Sequence, residues 1–500
     1  MRKVMGSVAV VGALVLAAAC SSSANHSTAT GTTPTSTGTT MARPAGPVAD
    51  VSQELTGGKG VFMGEGSPPD LKAMGYVQRE YAASGTASAY RSVGALSADG
   101  RWHLVTTTTA PYKTRVVVRE PAKASAFSGN VVVEWLNVSG GVDANPDWTS
   151  LSEEIVRAGD AWVGVSAQEI GVEGGPVAVT VPGAQGAAAQ GKGLKKIDPA
   201  RYGSLHHPGD AYAMDIYTQV ARALRAGGAL GGLHPKRLIA TGESQSAFAL
   251  VTYYDGVQPL SQAFDGFFVH SRGGVPLPLV GSMKSADIAG ALSGKPVIFR
   301  TDQSAPVMDI QTETDVTSVL SSLGARQPDS STFRLWEVAG TAHADAHLLG
   351  AQASSIDCGV PINNGPMHLV AKAALRALTT WLETGTPPPS APRLAVAPGA
   401  KPTLRRNADG IVLGGIRTPP VDVPVAVLSG EPGPNPSVIC LLLGSTTPLP
   451  AARLAQLYPS RAAYLARYAA AADATIKAGF VLPQDRAALL AFAQPSLIPG

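Results

Sequence analysis

The stretch Arg237-Leu-Ile-Ala-Thr-Gly-Glu-Ser-Gln-Ser-Ala-Phe-Ala-Leu250 decides how this chain is read. A short β-type run, Arg237 to Thr241, meets Gly242-Glu243-Ser244-Gln245-Ser246, and a helix-compatible stretch follows at once. Strand, tight turn and helix in that order form a nucleophile elbow, in which a serine hydroxyl is pushed out above a sheet. Small residues two before and two after the serine let the turn close. Here they are Gly242 and Ser246, the second a departure from the usual glycine. The N–H of Gln245 opens the helix, where the dipole favours donation to an oxyanion. Gly164-Val165-Ser166 competes in a chain with 55 glycines, but it runs into Gly-rich loop sequence, not a helix.

Around the elbow, β-rich runs alternate with helical ones. Thr114 to Arg119, Asn130 to Leu136, Ala161 to Ser166, Phe264 to His270, Pro306 to Thr312 and Phe333 to Val338 read as strands. Leu151 to Ala158, Asp210 to Ala226 and Pro366 to Glu383 carry helical spacing, the last ended by Gly385 and three prolines. Residues 169–208 are rich in Gly and Pro and read as an insertion. Such alternation predicts an α/β fold with a mostly parallel sheet, whose working residues cluster beyond the carboxyl ends of the strands. The core spans 51–395. Residues 396–500, β-like and Pro-rich from Arg405 to Gly430 and helical over Ala451 to Ala474 and Gln484 to Phe492, read as an appendage packed on it.

A serine nucleophile needs a base, and the base needs an acid to hold its tautomer. His343 follows the strand Arg334 to Val338 through the small-residue loop Ala339-Gly-Thr-Ala342. The acid should lie between serine and histidine, and the strand Pro306 to Thr312 ends in Glu313-Thr314-Asp315. Asp315 is the chosen acid and Glu313 the alternative. The order Ser244, Asp315, His343 is that of α/β hydrolases, not of chymotrypsin or subtilisin. A second oxyanion donor should come from the loop after an early strand. Asn137-Val138-Ser139-Gly140-Gly141 fits, with the N–H of Val138 or Ser139 as donor and the choice open by one residue either way. His343-Ala-Asp-Ala-His347 puts two histidines at i and i+4, but no glutamate sits between them and no third ligand is apparent, so no metal is expected. His206-His207 with Asp210 is another polar cluster, read as lining the pocket or, in preference, as an N-cap by Asp210.

The blocks VVVEWLNVSGG, DPARYGSLHHPGDAYAMDI, GESQSAFAL, QTETDV, LWEVAGTAHAD and GGIRTPPVDVPVAVLSG resemble a bacterial α/β-hydrolase subfamily with a GxSQS elbow. Its members are mostly named only as alpha/beta hydrolase domain-containing proteins. The resemblance runs from about Lys72 to the C-terminus. It implies that the last hundred residues belong to the hydrolase unit, that Ser244 is the nucleophile and that His343 is the base. It draws the acid from QTETDV without choosing between Glu313 and Asp315, and it supplies no substrate.

Arg2 and Lys3, the apolar run Val8 to Leu16 and Ala17-Ala18-Ala19-Cys20 read as a signal peptide over 1–19, with Cys20 a lipid-attachment residue. Residues 20–50, rich in Ser, Thr, Gly and Pro, read as a tether that cannot bury enough apolar surface to fold. An extracytoplasmic, membrane-anchored or secreted enzyme is expected. Cys358 and Cys440 are the other thiols, and in an oxidising compartment they can pair. A net charge of +3 excludes an electrostatic case for nucleic acid, and 45% hydrophobic residues supply a large core. The expectation is a cofactor-free serine carboxylic-ester hydrolase acting on a small ester. Acyl transfer, amide hydrolysis and a silent binding protein on the same fold are the rivals.

Overall fold

A computed structural model describes residues 43–65, 69–181, 187–282 and 284–498. The expected signal peptide, Cys20 and the expected tether up to residue 42 lie outside the described residues. Residues 43–49 run extended beside a later helix, with Ala49 buried and its N–H bonded to the Gln219 carbonyl at 3.2 Å.

Nine strands form the central sheet: β1 Asp50–Glu54, β2 Tyr76–Ser92, β3 Leu104–Pro121, β4 Asn130–Trp135, β5 Ala161–Val165, β6 Arg237–Glu243, β7 Gly266–His270, β8 Val307–Thr312 and β9 Phe333–Val338. Their spatial order is β1-β2-β3-β5-β4-β6-β7-β8-β9. Pairing is antiparallel as far as β5 and parallel from β5 to β9. The parallel strands are buried except at Arg237 and Arg334, as a sheet covered on both faces requires. The expected strand Thr114 to Arg119 is the buried end of β3. Its partner β2, with Gly85, Thr86, Ser88 and Gln78 along it, carries too weak an alternation to be read from sequence.

The helices that matter here are α1 Pro146–Ala158, α2 Ala213–Arg225, α3 Gln245–Thr252, α4 Glu313–Thr317, α5 Met367–Thr384, α6 Val438–Leu442 and α7 Arg461–Lys477. Helix α1 starts earlier than its apolar spacing announces, because Pro146 occupies the first turn, where a missing N–H costs nothing. It stops at Gly159, whose φ of 72° is the left-handed C-cap conformation. Trp148, Leu151 and Ile155 form its buried stripe, on the face of the sheet that also takes α5. Helices α2 and α3 serve the opposite face, where Tyr217, Tyr253 and Phe264 pack ring on ring.

The last hundred residues correct two expectations. The β-like run Arg405 to Gly430 is mostly irregular, with only Ala426–Ser429 forming a strand of note, paired to Ser445–Pro448. Its prolines and paired glycines remove ladder donors and bend the backbone. The helix expected over Ala451 to Ala474 breaks at Tyr458-Pro-Ser460 into Ala451–Leu457 and α7, because Pro459 cannot continue a helix and Ser460 caps the next one through Ala463 N–H. Ala472, Val481 and Leu489 join the hydrophobic cluster of Trp162, Ile239 and Trp336 under the sheet. Phe480 sets its ring edge-on to Trp336 at 5.0 Å.

Cys358 and Cys440 are bonded as a disulfide, their Cα atoms 5.5 Å apart. It ties the segment after the turn Ala346–Leu349 to α6. The chain-entropy model gives a loop of 82 residues a stabilisation of roughly 4 kcal/mol, before native strain is subtracted. Non-reducing peptide mapping should therefore recover one cross-linked peptide pair. Mild reduction should change activity at a temperature below global unfolding. Two free alkylatable thiols in the purified protein would remove the crosslink from the account.

Candidate active site

Three residues chosen from sequence meet at the carboxyl ends of three parallel strands. Ser244 follows β6, Asp315 lies in α4 just after β8, and His343 follows β9. His343 Nε2 is 2.8 Å from Ser244 Oγ, and His343 Nδ1 is 2.8 Å from Asp315 Oδ1. The imidazole therefore donates from Nδ1 to the carboxylate and accepts the serine O–H at Nε2.

Ser244 has φ 61° and ψ −122°, a conformation L-residues avoid at a cost of about 1–3 kcal/mol. The elbow holds it there. Ser244 N–H donates to the His270 carbonyl at 3.0 Å, and Phe248 N–H to the Ser244 carbonyl at 3.2 Å. A Cβ on Gly242 would stand 2.9 Å from Ser246 Cβ and 3.0 Å from its backbone. Gly242 thus supplies the whole of the close approach, which is why serine can stand where the pattern usually has a second glycine. The competing Ser166 is fully buried in an ion cluster, where its Oγ accepts from Arg115 Nε at 3.0 Å beside Asp143.

The two carboxylates of QTETDV separate cleanly. Asp315 Oδ2 accepts Thr312 N–H at 2.6 Å while Oδ1 takes His343, and Thr312 Oγ1 returns the capping bond. Burial pushes the Asp315 carboxyl up, but the bonds from His343 and Thr312 outweigh it and hold it below the ordinary range. Glu313 turns the other way. It accepts Gly340 N–H at 2.6 Å and Gly430 N–H at 3.2 Å, and pairs with Arg406 at 2.8 Å. It clamps the histidine loop to the C-terminal segment.

Within the oxyanion loop the N–H groups of Val138 and Ser139 are already engaged. Val138 is fully buried and its N–H donates to Gln245 Oε1 at 3.1 Å. Ser139 N–H donates to Asn137 Oδ1 at 2.9 Å, and Ser139 Oγ donates to the same atom at 2.7 Å. Both expected donors already have acceptors. The reason is the polar side chains flanking the elbow: Asn137 Nδ2 donates to the Glu243 carbonyl at 3.0 Å, and the Gln245 side chain bonds both Val138 and Gln168. Gly140 lines the cleft, and its N–H has no acceptor among the described residues. Gln245 N–H, the first of α3, has none within its helix.

The other polar motifs are structural. Asp210 does not cap a helix. It accepts Glu169 N–H at 2.7 Å, Ala286 N–H at 2.8 Å and Gln168 Nε2 at 3.0 Å, buttressing the elbow through Gln168 and Gln245. His207 Nε2 is 2.9 Å from the Ala167 carbonyl. In His343-Ala-Asp-Ala-His347, both ring nitrogens of His343 are engaged, Asp345 accepts Leu348 N–H at 2.9 Å, and His347 stacks on His368 at 3.6 Å.

Ser244 and His343 open into a cleft of about 170 Å³. Its walls are mainly apolar: Val179 and Val181 from the insertion, Leu348 and Leu349 after the histidine, and Ile439 and Leu442 from α6. The α6 wall is stitched to the histidine loop, since Ala344 N–H donates to the Leu442 carbonyl at 3.1 Å. Nothing in the sequence around Ile439 signalled this. The disulfide cysteine at 440 was the one available pointer.

Residues 44–491 match the family model described as alpha/beta hydrolase domain. No curated protein matches the chain. Among solved structures, the chain is similar to an α/β serine hydrolase without lid from Xanthomonas campestris, at 14% identity over 60% of this chain and 97% of that one, TM-score 0.29. It is similar also to an esterase of Rhizomucor miehei, at 11% over 64% and 94%, TM-score 0.30. Carboxyl esterase 2 of Tuber melanosporum gives 11% over 53% and 83%, TM-score 0.27. At such identities no substrate passes from them to this chain.

Proposed function

The chain belongs to the alpha/beta hydrolase domain family, and from that premise we propose that it is a serine carboxylic-ester hydrolase working through an acyl-enzyme on Ser244. The observation that carries the reading is the continuous line Ser244 Oγ, His343, Asp315, with 2.8 Å at each step, at the mouth of an apolar cleft. Ser244 Oγ attacks the ester carbonyl as its proton passes to His343 Nε2. Asp315 stabilises the imidazolium and fixes its tautomer. Gln245 N–H, with Gly140 N–H as the second donor, receives the oxyanion. The Nε2 proton then leaves with the alcohol, and a water repeats the sequence to release the acid. Cys20 and the leader make the enzyme extracytoplasmic and lipid-attached in this reading, and the Cys358–Cys440 bond fits an oxidising compartment.

The test is a fluorophosphonate probe followed by a series of p-nitrophenyl esters. The probe should label Ser244. Because each buried methylene contributes about 0.8 kcal/mol, kcat/KM should rise about fourfold per added carbon until the acyl chain fills the cleft, and then level off. No labelling at Ser244, or no turnover of any ester, would return the chain to the class of binding proteins.

A further inference from the structure

Glu243, immediately before the nucleophile, lies 5% exposed on the floor of the cleft. Its Oε1 is 3.5 Å from His343 Nε2, the nitrogen that faces Ser244. Other buried carboxylates of this fold accept at least one donor, even where a second oxygen is left free, as in Asp143 and Asp255. Glu134, for example, takes the N–H groups of Asp147 and Trp148 and the Trp162 indole at 2.8–3.0 Å. The Glu243 carboxylate accepts no hydrogen bond among the described residues, so a scaffolding role does not account for it. The β6–β7 register sets His270 directly beside it. His270 Nδ1 in turn meets Asp147 Oδ1 at 2.9 Å. Acid and base therefore alternate across the floor of the site: Asp147, His270, Glu243, His343, Asp315.

We propose that Glu243 is a second acid partner of His343, stabilising the imidazolium from the Nε2 side as Asp315 does from the Nδ1 side, with the His270–Asp147 pair holding Glu243 ionised. The proposal rests on Ser244 and His343 being the reacting pair. When the Ser244 O–H bond breaks and an N–H bond forms at Nε2, positive charge appears beside the Glu243 carboxylate. Glu243 exchanges no proton in the step. Were it protonated, it would withdraw that charge and offer an O–H to the lone pair that Ser244 needs.

The surrounding charges pull both ways, so Glu243 plays this part as pH rises past its own ionisation. Burial pushes Glu243 up to about 7, against the pull of His343 and His270, while Asp147 and Asp315 push in the same direction as burial. Burial lowers His343, but Glu243 first and Asp315 next reverse it, so His343 ends above its ordinary value. Burial also lowers His270, and Asp147 reverses it. Behind Glu243, Asp345, His347 and His368 share a small cavity with it. Burial presses His368 down to about 2, so that ring stays neutral.

The experiment compares Glu243→Gln, His270→Gln and the double variant by pH profiles of kcat and KM on one soluble ester. Losing the carboxylate should lower kcat about tenfold and move the acid limb of kcat/KM down by about one pH unit, the equivalent of one pKa unit on His343. KM should stay within about twofold. His270→Gln should move the limb the same way by less, and should add nothing to Glu243→Gln, since the pair acts through Glu243. Glu243→Asp should restore part of the loss. A Glu243→Gln limb in place with kcat within twofold of wild type, or additive single effects, overturns the proposal. A separate arm titrates His343 by NMR in ¹⁵N-histidine-labelled Ser244→Ala protein with and without Glu243→Gln. A fall of about one unit supports the coupling even if Ser244→Ala remains active, an outcome that would sink the reaction reading alone; no fall overturns the coupling.

Discussion

Ser244→Ala is expected to lose roughly a million-fold in kcat and all fluorophosphonate labelling, the scale seen when a triad nucleophile is removed. The fold should be untouched. Ser244 Oγ bonds only His343, and alanine meets the same φ of 61° at the same cost. The holding bonds, Ser244 N–H to His270 and Phe248 N–H to Ser244, are backbone and survive the change. Circular dichroism and Tm should match wild type while ester turnover vanishes. Residual activity above about one part in a hundred would place the nucleophile elsewhere.

Asp315→Asn should cost about ten thousand-fold in kcat, because an amide at that place favours the wrong imidazole tautomer and supplies no charge to the imidazolium. Glu313→Gln should behave oppositely. It breaks the buried pair with Arg406 and weakens the clamp on Gly340 and Gly430, so stability should fall by about 3 kcal/mol or more. The fraction that folds should keep its chemistry, with kcat within about tenfold of wild type. Urea melts and kcat measured on both variants separate the two roles. A larger kcat loss in Glu313→Gln than in Asp315→Asn would exchange them. The ionisation behind the difference also sets a direction with pH. Asp315 lies below the ordinary carboxylate range, so it stays charged wherever the enzyme works. His343 lies above 6.5, so it gains its proton, and the enzyme loses its base, as pH falls through a value above 6.5.

The elbow, the three strand-end residues and the parallel sheet were legible because each has a local signal: a strand-to-helix switch at Gly242–Ser246, β-branched runs and small-residue loops. The antiparallel edge was not, since β2 and β3 are stabilised by pairing along their length and not by a sharp alternation on either strand. The second oxyanion donor could not be fixed to one residue for a related reason. Sequence shows which loop approaches the elbow, but the acceptors of its N–H groups are side chains far along the chain, such as Gln245 for Val138. Glu313 and Asp315 could not be ranked from spacing alone, because what separates them is Arg406, Gly430 and Thr312. Glu243 was in plain view within the elbow. Its significance depends on His270 and His343 lying on either side of it, a fact of sheet order.

The bond from Ala344 to Leu442 orders events in time as well as in space. Leu442 leaves the ribosome long after His343 and every strand of the sheet, and domains otherwise consolidate from the N-terminus. The serine and the acid can be in register while the histidine loop still lacks its strap and one wall of the cleft. On the proposed function, competence to turn over an ester therefore waits for the segment that carries Leu442. The disulfide delays it further, to a compartment where thiols can oxidise. On that same proposal, a nascent or arrested chain in the cytoplasm lacks both the strap and the crosslink, and is kept from hydrolysing esters there.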